Sequence, residues 1–324
     1  MEYRKLGTSE LEVSVISLGT WAFGGDNWWG KQDDRDSVET LDCVINSGIN
    51  FIDTAPIYGK GRSEKIIGAF LSKKNLRQKV LISTKAGLSW QGPKIIHDLS
   101  KKRILEELDE SRSRLRTDYF DLYQAHWPDK NTPIGETAEV FDKLFKNRVI
   151  KSVGVSNFSI EQIAEFMKYC PLHSLQPPYS MFNREIESKI VPFCLKNNIG
   201  IISYASLYSG ILTGKFFFDN IKIPDDTNRK MKKADLEEPG FSINRKILIS
   251  LKDIALSYGK SLAQLAINWN FSQKSIASSI VGARNKIQAD ENSKSYGFQI
   301  SEGDMHTINE ILTERDSQLA VLKK

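Results

Sequence analysis

The sequence has few cysteines, no long apolar run and little excess charge. Its three cysteines, Cys43, Cys170 and Cys194, are widely spaced and form no Cys-X-X-Cys pair. Neither a disulfide framework nor a zinc ribbon is therefore expected. No stretch approaches the roughly 18 apolar residues that a membrane-spanning helix needs, and the first residues are charged instead of forming a signal-peptide core. We expect a cytoplasmic protein with no membrane partner.

Charge of either sign is also moderate. Lys and Arg number 45 and Asp and Glu number 40, an excess too small to indicate a nucleic-acid partner. Of the 324 residues, 40% are hydrophobic and 26% are charged, which is typical of a globular protein with a sizeable core. Because α/β barrels of this length fold as one unit, we predict a single domain over residues 1–324.

Short β-rich segments alternate with longer amphipathic segments along the whole chain. The eight strand candidates are Val15–Leu18, Asn50–Asp53, Val80–Thr84, Phe120–Gln124, Ile150–Val155, Ser174–Gln176, Ile199–Ser203 and Ala277–Val281. The helix candidates are Arg35–Ser47, Ser63–Leu71, Ser100–Leu115, Ile134–Lys146, Ser159–Lys168, Glu185–Lys196, Phe241–Tyr258 and Asn285–Ser293. Eight successive βα units predict an α/β fold of the (β/α)₈ TIM-barrel type.

Additional elements are predicted at both ends of this pattern. Tyr3–Leu6 and Glu12–Val15 flank a Gly-Thr-Ser turn and indicate an N-terminal β-hairpin that closes the bottom of the barrel. Glu302–Leu312 continues a helical pattern after the eighth unit, which predicts an extra C-terminal helix outside the barrel.

Two connections are longer than an ordinary βα loop. They are Lys85–Ser100 and Ala205–Phe241, and long loops on a barrel usually carry ligand contacts. The second contains the basic run Arg229–Lys233, which is interpreted in the first place as a solvated, mobile segment.

Four polar residues lie at or just after the ends of consecutive predicted strands: Asp53, Tyr58, Lys85 and His126. Functional groups of such barrels lie where strands end, so these side chains are expected to meet on one rim. Each alone has an ordinary structural explanation, but the four together form a chemically coherent set. Reduction of a carbonyl by hydride builds negative charge on oxygen, which calls for a proton donor and a positive field.

The set assigns one role to each residue. A phenol has a pKa near 10, and a nearby ammonium lowers it, so Lys85 is expected to make Tyr58 more acidic. Asp53 would hold Lys85 through a charge-assisted hydrogen bond. His126 would orient the carbonyl of the substrate through an imidazole N–H. Tyr58 is thus the predicted general acid.

The sequence resembles the aldo-keto reductases over nearly its whole length, especially their bacterial and potassium-channel β-subunit-like branch. The matching motifs are Leu18–Trp21, Asp53–Glu64, Ser83–Lys85, His126–Asp129 and Val153–Phe158. The resemblance implies that Asp53, Tyr58, Lys85 and His126 are the catalytic tetrad, that the cofactor is NADPH/NADP+, and that the substrates are aldehydes or ketones. All four tetrad residues are present.

No Gly-X-Gly-X-X-Gly motif follows the first strand, so a Rossmann module is not supported. The resemblance instead implies a dinucleotide extended across the barrel mouth. Ser156, Asn157 and Gln176 would grip the nicotinamide carboxamide, and Tyr204 would stack on its ring. The full set of implied cofactor residues is Thr20, Trp21, Asp53, Ser156, Asn157, Gln176, Tyr204, Ala205, Ser206, Leu207, Ser209, Lys215, Gly282, Arg284, Gln288, Glu291 and Asn292.

Phosphate contacts are expected from the later part of this set. Lys215 would neutralise the pyrophosphate, and Arg284 opens a helix whose N-terminus attracts phosphate. By the resemblance Arg284 would bind the 2′-phosphate, which favours NADPH over NADH. Gln288 and Asn292, one helical turn apart, would face the adenine. Ser206 departs from the proline that relatives usually carry.

Aromatic residues are expected to form the walls of the substrate site. Trp21, Trp90 and Trp127 adjoin strand ends and would surround the carbonyl together with Tyr58 and His126. Trp28 and Trp29 fit a pocket wall and core packing equally well. Such a pocket suits aldehydes and small ketones, but no polar anchor selects one substrate.

Two other classes of function compete with this interpretation. The first alternative is an NADP-sensing regulatory subunit of a membrane or protein partner, with vestigial catalysis. The intact His126 argues against it. A metal-dependent barrel hydrolase is the weaker alternative, because His97, His173 and His306 lie away from clustered strand ends. No metal is expected. Oligomeric state, substrate and direction of reaction stay open.

Overall fold

Eight parallel strands close into a barrel in the computed structural model, which describes residues 1–92, 94–219 and 221–322. The strands in chain order are β1 Tyr3–Lys5, β2 Glu12–Ser14, β3 Ile16–Gly19, β4 Phe51–Asp53, β5 Leu81–Ala86, β6 Leu88–Gln91, β7 Lys94–His97, β8 Leu122–Ala125, β9 Val153–Ser156, β10 Ser174–Gln176, β11 Gly200–Ser203 and β12 Ile276–Gly282. The barrel order is β3-β4-β5-β8-β9-β10-β11-β12, with β12 paired to β3. The predicted TIM-barrel fold is confirmed.

Helices connect the strands of the barrel. They are α1 Asp34–Asn46, α2 Arg62–Lys74, α3 Lys101–Leu115, α4 Ile134–Lys146, α5 Ile160–Phe166, α6 Ile190–Lys196, α7 Lys215–Phe218, α8 Thr227–Lys230, α9 Lys233–Leu236, α10 Gly240–Ser257, α11 Leu262–Phe271, α12 Lys286–Ser293 and α13 Glu302–Val321. Helix starts follow the expected chemistry: Ser159 and Gln162 form a capping box at the start of α5. No helix of the described residues combines the length and the apolar character needed to cross a bilayer.

The N-terminal hairpin β1–β2 has the predicted position. Leu6, Leu11 and Val13 are buried in one cluster with Phe51 and Leu122, which lie at or near the starts of β4 and β8. Apolar side chains of the hairpin thus fill the bottom of the barrel, where strands begin. This closure leaves the opposite rim, where strands end, for polar groups.

The connection between the last two strands differs from the predicted single helix. The helix predicted at Phe241–Tyr258 is present as α10, and a second helix, α11, follows it and packs directly against β12. All ten residues of α11 are buried, so it has no polar face and no amphipathic period. Its sequence signal is the capping box of Ser261 and Gln264. α13 also extends beyond the predicted Leu312 to Val321.

Both long connections contain regular structure. The first forms the antiparallel hairpin β6–β7, in which Trp90 pairs with Ile95. The second contains α7, α8 and α9. The interpretation of the basic run as a solvated segment is wrong for Arg229, which is buried and paired with Asp226 at 2.7 Å. Pro93 and Asn220, which belong to these connections, lie outside the described residues.

Candidate active site

The four predicted catalytic residues meet at the rim where the strands end. Asp53 is the last residue of β4, Lys85 lies near the end of β5, and His126 directly follows β8. Tyr58 lies on the loop between β4 and α2, and its ring is perpendicular to that of His126 with centroids 6.0 Å apart. All four side chains are buried or nearly so. The parallel register of β4, β5 and β8 brings these residues together.

Asp53 fixes the ammonium group of Lys85 inside the barrel. Lys85 Nζ donates to both carboxylate oxygens of Asp53, at 2.7 and 2.9 Å, and to the carbonyl of Thr54 at 2.9 Å. Ser83 Oγ and Gln176 Nε2 also donate to Asp53 Oδ1, at 3.1 and 2.9 Å. Four hydrogen bonds therefore satisfy a carboxylate that is almost completely removed from water.

The hydroxyl of Tyr58 lies 3.4 Å from Lys85 Nζ, the longest of the contacts of that ammonium group. Burial, and then the negative charge of Asp53, raise the pKa of Tyr58 well above its usual value. The expected lowering by Lys85 is therefore wrong in its net direction. The ammonium is largely neutralised by Asp53, so its field on the phenol is weak. Tyr58 is a protonated phenol at neutral pH.

His126 is held as a neutral imidazole. Burial, and then the nearby Lys85 ammonium, lower the pKa of His126 well below its usual value. The backbone carbonyl of His126 accepts a hydrogen bond from Asn157 Nδ2 at 3.1 Å, which joins it to the next strand end. A neutral ring carries one N–H, so it can donate a hydrogen bond without adding a second positive charge beside Lys85.

Aromatic side chains surround Tyr58. Trp21 stacks on the Tyr58 ring with centroids 5.7 Å apart, and it contacts both Trp28 and Trp29. Trp90, on the hairpin β6–β7, donates from Nε1 to the carbonyl of Ile57 at 3.3 Å. These contacts place an apolar wall beside the phenol and connect the hairpin to the loop that carries it.

Trp127 and His97 form the outer edge of the same region. Trp127 is 39% exposed, and the rings of Trp127 and His97 lie 6.2 Å apart. The hairpin β6–β7 brings His97 here, and its proximity contributes, after burial and Lys85, to the lowered pKa of His126. The interpretation that His97 lies far from the strand ends is therefore wrong, because the hairpin folds back over them.

A second polar cluster joins three strand ends beside Asp53. Ser156 Oγ donates to the carbonyl of Gln176 at 2.8 Å, and Asn157 Nδ2 donates to Ser156 Oγ at 2.9 Å. Tyr204 Oη donates to Asn157 Oδ1 at 3.0 Å. Asn157 has a φ of +62°, the left-handed region that asparagine tolerates better than most residues. These amide and hydroxyl groups suit the carboxamide of a nicotinamide.

The loop after β11 follows an unusual backbone path. Ala205 and Ser209 have φ near +59° and +58°, and Gly210 has φ of +86°. Ser206 Oγ donates to the carbonyl of Ile280 at 3.1 Å, which ties this loop to β12. Leu207 precedes the short 3-10 turn that ends at Thr213. Serine in place of the usual proline thus supplies a hydrogen bond between adjacent strand ends.

Three cations converge beyond this loop. Burial, and then the charges of Arg229 and Arg284, lower the pKa of Lys215. Burial also lowers the pKa of Arg229, where Asp226 opposes the shift and Arg284 adds to it. Gly210 lies against Lys215 and Arg229 without a side chain of its own. Arg229 Nε has no hydrogen-bond partner among the described residues. Arg229 is buried and Lys215 and Arg284 are half-buried, so a bound anion would relieve their mutual repulsion, and the cluster suits a diphosphate.

The groups from Asn157 and Tyr204 past Lys215 to Arg284 line one surface, which is the candidate cofactor groove. The start of α12 forms its far end. Arg284 donates to Gln32 Oε1 at 3.1 Å and to the carbonyls of Trp29 and Lys31. Its backbone N–H donates to Gln288 Oε1 at 3.0 Å. A cavity of about 260 Å³ opens here. Its lining residues are Lys31, Gln32, Asp33, Asp36, Arg284, Asn285 and Gln288.

The remaining predicted cofactor residues support these two regions. Thr20 Oγ1 donates to the backbone carbonyl of Asp53 at 2.8 Å. Asn292 Nδ2 donates to the carbonyl of Gly282 at 3.2 Å, which connects α12 to the end of β12. Glu291 Oε1 accepts a hydrogen bond from Ser261 Oγ at 2.8 Å. The Glu291 carboxylate therefore contacts Ser261, the N-cap residue of α11.

Sequence reasoning missed three residues at this site. Arg229 stacks over the Trp29 ring at 4.7 Å, and Gln32 bonds Arg284 through both its side-chain atoms. Asp26 lies close enough for its charge to raise the pKa of Tyr58, after burial and Asp53. Asp226, three residues before Arg229, was the available signal for a paired arginine inside the basic run. No pattern identified the other two.

The described residues hold no group of three His, Cys, Asp or Glu side chains arranged as metal ligands.

Comparison with known proteins agrees with this architecture. The model of the Aldo/keto reductase family matches residues 15–313. Aldo-keto reductase YhdN of Bacillus subtilis (strain 168) is 40% identical over 313 residues, which cover 96% of this chain and 94% of that protein. The NADH-specific methylglyoxal reductase of Escherichia coli (strain K12) is 31% identical, with coverage of 94% and 97%.

Two further similarities extend the range of functions among relatives. A probable voltage-gated potassium channel subunit beta of Arabidopsis thaliana is 34% identical, with coverage of 91% of this chain and 90% of that protein. The structure of glycerol dehydrogenase AKR11B4 from Gluconobacter oxydans superposes with a TM-score of 0.88 at 36% identity, covering 97% and 95% of the two chains. The predicted resemblance is confirmed: the chain belongs to the aldo/keto reductase family of oxidoreductases.

Proposed function

We propose that this protein is an NADPH-dependent reductase of aldehydes and ketones in which Tyr58 is the general acid. The observation that carries the proposal is the Tyr58 hydroxyl, which lies 3.4 Å from a Lys85 ammonium fixed by Asp53 and beside the His126 ring. A buried, protonated phenol at the rim where the strands end can give its proton to a substrate oxygen.

Bound NADPH would supply the hydride. As negative charge develops on the carbonyl oxygen, the Tyr58 O–H donates its proton to that oxygen. The neutral His126 N–H donates a hydrogen bond to the same atom and holds it in place. The raised pKa of Tyr58 keeps the proton on the phenol until then. Lys85 Nζ, 3.4 Å from the Tyr58 oxygen, can donate a hydrogen bond to the phenolate that remains.

The groups available along the groove fit a dinucleotide phosphate. Arg229 and Arg284 lie close enough to Lys215 to lower its pKa, and Arg284 also lowers the pKa of Arg229. Asn157 and Gln176 would hold the carboxamide, and Tyr204 would pack against the nicotinamide ring. The Arg284 guanidinium donates three hydrogen bonds to the loop around Gln32, which leaves two of its five N–H groups for a ligand. Arg284 also lines the 260 Å³ cavity.

The choice of NADPH over NADH depends on Arg284, and it is open to a direct test because one relative is named as NADH-specific. Arg284→Ala should raise the Kd of NADPH at least about tenfold more than that of NADH, since only NADPH carries the 2′-phosphate that a guanidinium binds. Arg35→Ala, which removes a surface arginine that is 86% exposed, is the control. Equal losses for both cofactors would contradict the role of Arg284.

The proton-donor role is tested with Tyr58→Phe. We expect turnover with 4-nitrobenzaldehyde to fall at least about 100-fold, the low end of general acid catalysis, while the Kd of NADPH stays nearly unchanged. Absorbance decay of NADPH measures turnover, and fluorescence titration measures binding. Unchanged turnover would exclude Tyr58 as the acid.

The same assay separates the regulatory alternative. Tight NADPH binding by the unmodified protein, with no turnover of any aldehyde or ketone in a broad panel, would support an NADP-sensing subunit with vestigial catalysis. Asp53, Lys85 and Tyr58 lie in hydrogen-bonding contact and the His126 ring lies beside Tyr58, so the complete set of four polar side chains favours the enzyme. The aromatic surroundings of Tyr58 favour small carbonyl compounds as substrates.

A further inference from the structure

The hairpin β6–β7 has a carboxylate buried beneath its base. Glu107, on α3, is completely buried, and its Oε2 accepts a hydrogen bond of 2.6 Å from the backbone N–H of Gly87. Gly87 is the residue between β5, which carries Lys85, and the hairpin, which carries Trp90. The carboxylate therefore contacts the junction between the catalytic strand and the structure that covers it.

Gly87 has the properties of a hinge. Its φ of +98° lies in a region that favours glycine, and a side chain at this position would collide with Leu99. The carbonyl of Gly87 accepts from Asp98 N–H at 3.0 Å, so both strands of the hairpin leave from this point. At the other side of the base, Leu99 N–H donates to Asp129 Oδ2 at 3.1 Å.

The far part of the hairpin contacts the site itself. Trp90 Nε1 donates to the carbonyl of Ile57, the residue that precedes Tyr58. His97, at the other end of the hairpin, lies beside Trp127 and donates from Nδ1 to the carbonyl of Pro128 at 3.0 Å. β6 and β7 are paired from Leu88 with His97 to Gln91 with Lys94, so the two strands link the base of the hairpin to this wall of the carbonyl site.

We propose that Glu107 is a positioning residue whose carboxylate holds the amide of Gly87, and that through this amide it controls how closely the strands β6 and β7 cover the carbonyl site. The inference rests on the proposed reductase function. Glu107 touches neither the reacting atoms nor the cofactor groove, so its effect should fall on substrate binding more than on the chemical step.

The charge of Glu107 changes near neutral pH. Burial raises its pKa to about 7, whereas the hydrogen bond from Gly87 and the Arg103 guanidinium at 2.7 Å oppose this rise. The charged or titratable groups that face it are Arg103 and Glu110 on α3, Tyr123 on β8, and beyond Tyr123 the paired Glu64 and Arg114. Lys85 on β5 is bonded to Asp53 instead.

The direction of the effect follows from this charge. Above pH 7 the ionised carboxylate makes a charge-assisted bond to Gly87, and below pH 7 the protonated group keeps only a neutral acceptor. The hairpin should therefore be held less firmly as pH falls. We expect the KM of the carbonyl substrate to rise about fivefold from pH 8 to pH 6, the factor lost when one hydrogen bond is no longer charge-assisted.

Three variants test the inference through KM. Glu107→Gln keeps the shape and an acceptor oxygen but has no charge, so its KM should equal the acid-limit value of the unmodified protein at every pH. Arg103→Gln keeps Glu107 but removes the cation that lowers its pKa, so the KM transition should move to higher pH. Glu107→Ala removes the acceptor, and KM should rise further, with kcat changing less than KM.

The inference would be overturned if the KM of Glu107→Gln still changed with pH as in the unmodified protein. It would also be overturned if the pH of the KM transition did not move in Arg103→Gln. Amide hydrogen exchange gives a readout without turnover: protection of Gly87 and of the hairpin amides should fall in Glu107→Gln relative to the unmodified protein at pH 8. Equal protection would also overturn it. An unmodified protein that reduces no carbonyl compound refutes the proposed function alone, since the exchange experiment still tests whether Glu107 holds the hairpin.

Discussion

Removing the ammonium group from the buried pair Asp53–Lys85 tests the electrostatics of the site in the folded protein. In Lys85→Met an apolar chain of similar length replaces a side chain with no exposed surface, and Asp53, with 4% of its side chain exposed, loses two of its four hydrogen bonds. An uncompensated buried carboxylate costs about 3–5 kcal/mol. We therefore expect Lys85→Met to be folded but markedly less stable.

The size of the effect on melting follows from the length of the chain. An unfolding entropy of roughly 2.1 cal/mol/K per residue gives about 0.7 kcal/mol/K for 324 residues. A loss of 3–5 kcal/mol then lowers Tm by about 4–7 °C. Differential scanning fluorimetry at pH 7.5 measures this shift, and denaturant unfolding followed by tryptophan fluorescence gives the free energy of unfolding.

The matched control is the double variant Asp53→Asn/Lys85→Met. Asparagine keeps an oxygen that accepts from Ser83 and Gln176 but carries no charge, so most of the lost stability should return. With Asp53→Asn as the third variant, the cycle gives a coupling energy, expected at about 2 kcal/mol or more. Additive losses would refute the idea that the two charges are held by each other.

Two other predictions concern different parts of the molecule. Leu6→Ala should lower the free energy of unfolding by about 2–5 kcal/mol, because it leaves a cavity at the bottom of the barrel, while KM stays unchanged. A loss below about 1 kcal/mol would show that the hairpin does not seal the bottom of the barrel. The His126 ring should show no imidazole titration by NMR between pH 6 and pH 8, with His126→Gln used to assign its signals; a midpoint near the ordinary 6.5 would contradict the neutral ring.

The barrel was predictable because its information is local. The strand ending at Asp53 and the one carrying Lys85 are short β-rich runs between amphipathic helices, and their period identifies them without tertiary contacts. α11 was missed for the opposite reason: buried on every side, it has no polar face to give a period. The hairpin β6–β7 depends on contacts with Ile57 and Trp127 that no local pattern records.

The site divides in the same way. Residue types at strand ends indicated Asp53, Tyr58, Lys85 and His126, and the structure brings them together. The net effect on the Tyr58 pKa was not predictable, because it depends on burial and on how completely Asp53 neutralises Lys85. The extension of the domain over residues 1–324, the cytoplasmic location and the cofactor roles of the groove residues stay predictions.

The hairpin β1–β2 also bears on how the chain acquires its structure. This hairpin is synthesised before the strands of the barrel, yet its apolar seat includes Ala277 and Ile280 of β12, the last barrel strand in chain order. The guanidinium of Arg4 likewise bonds the carbonyls of Phe271 and Ile276, late in the chain. The apolar side chains of the hairpin therefore stay uncovered during translation until β12 has been made, and the unfinished chain would gain from chaperone protection at this segment.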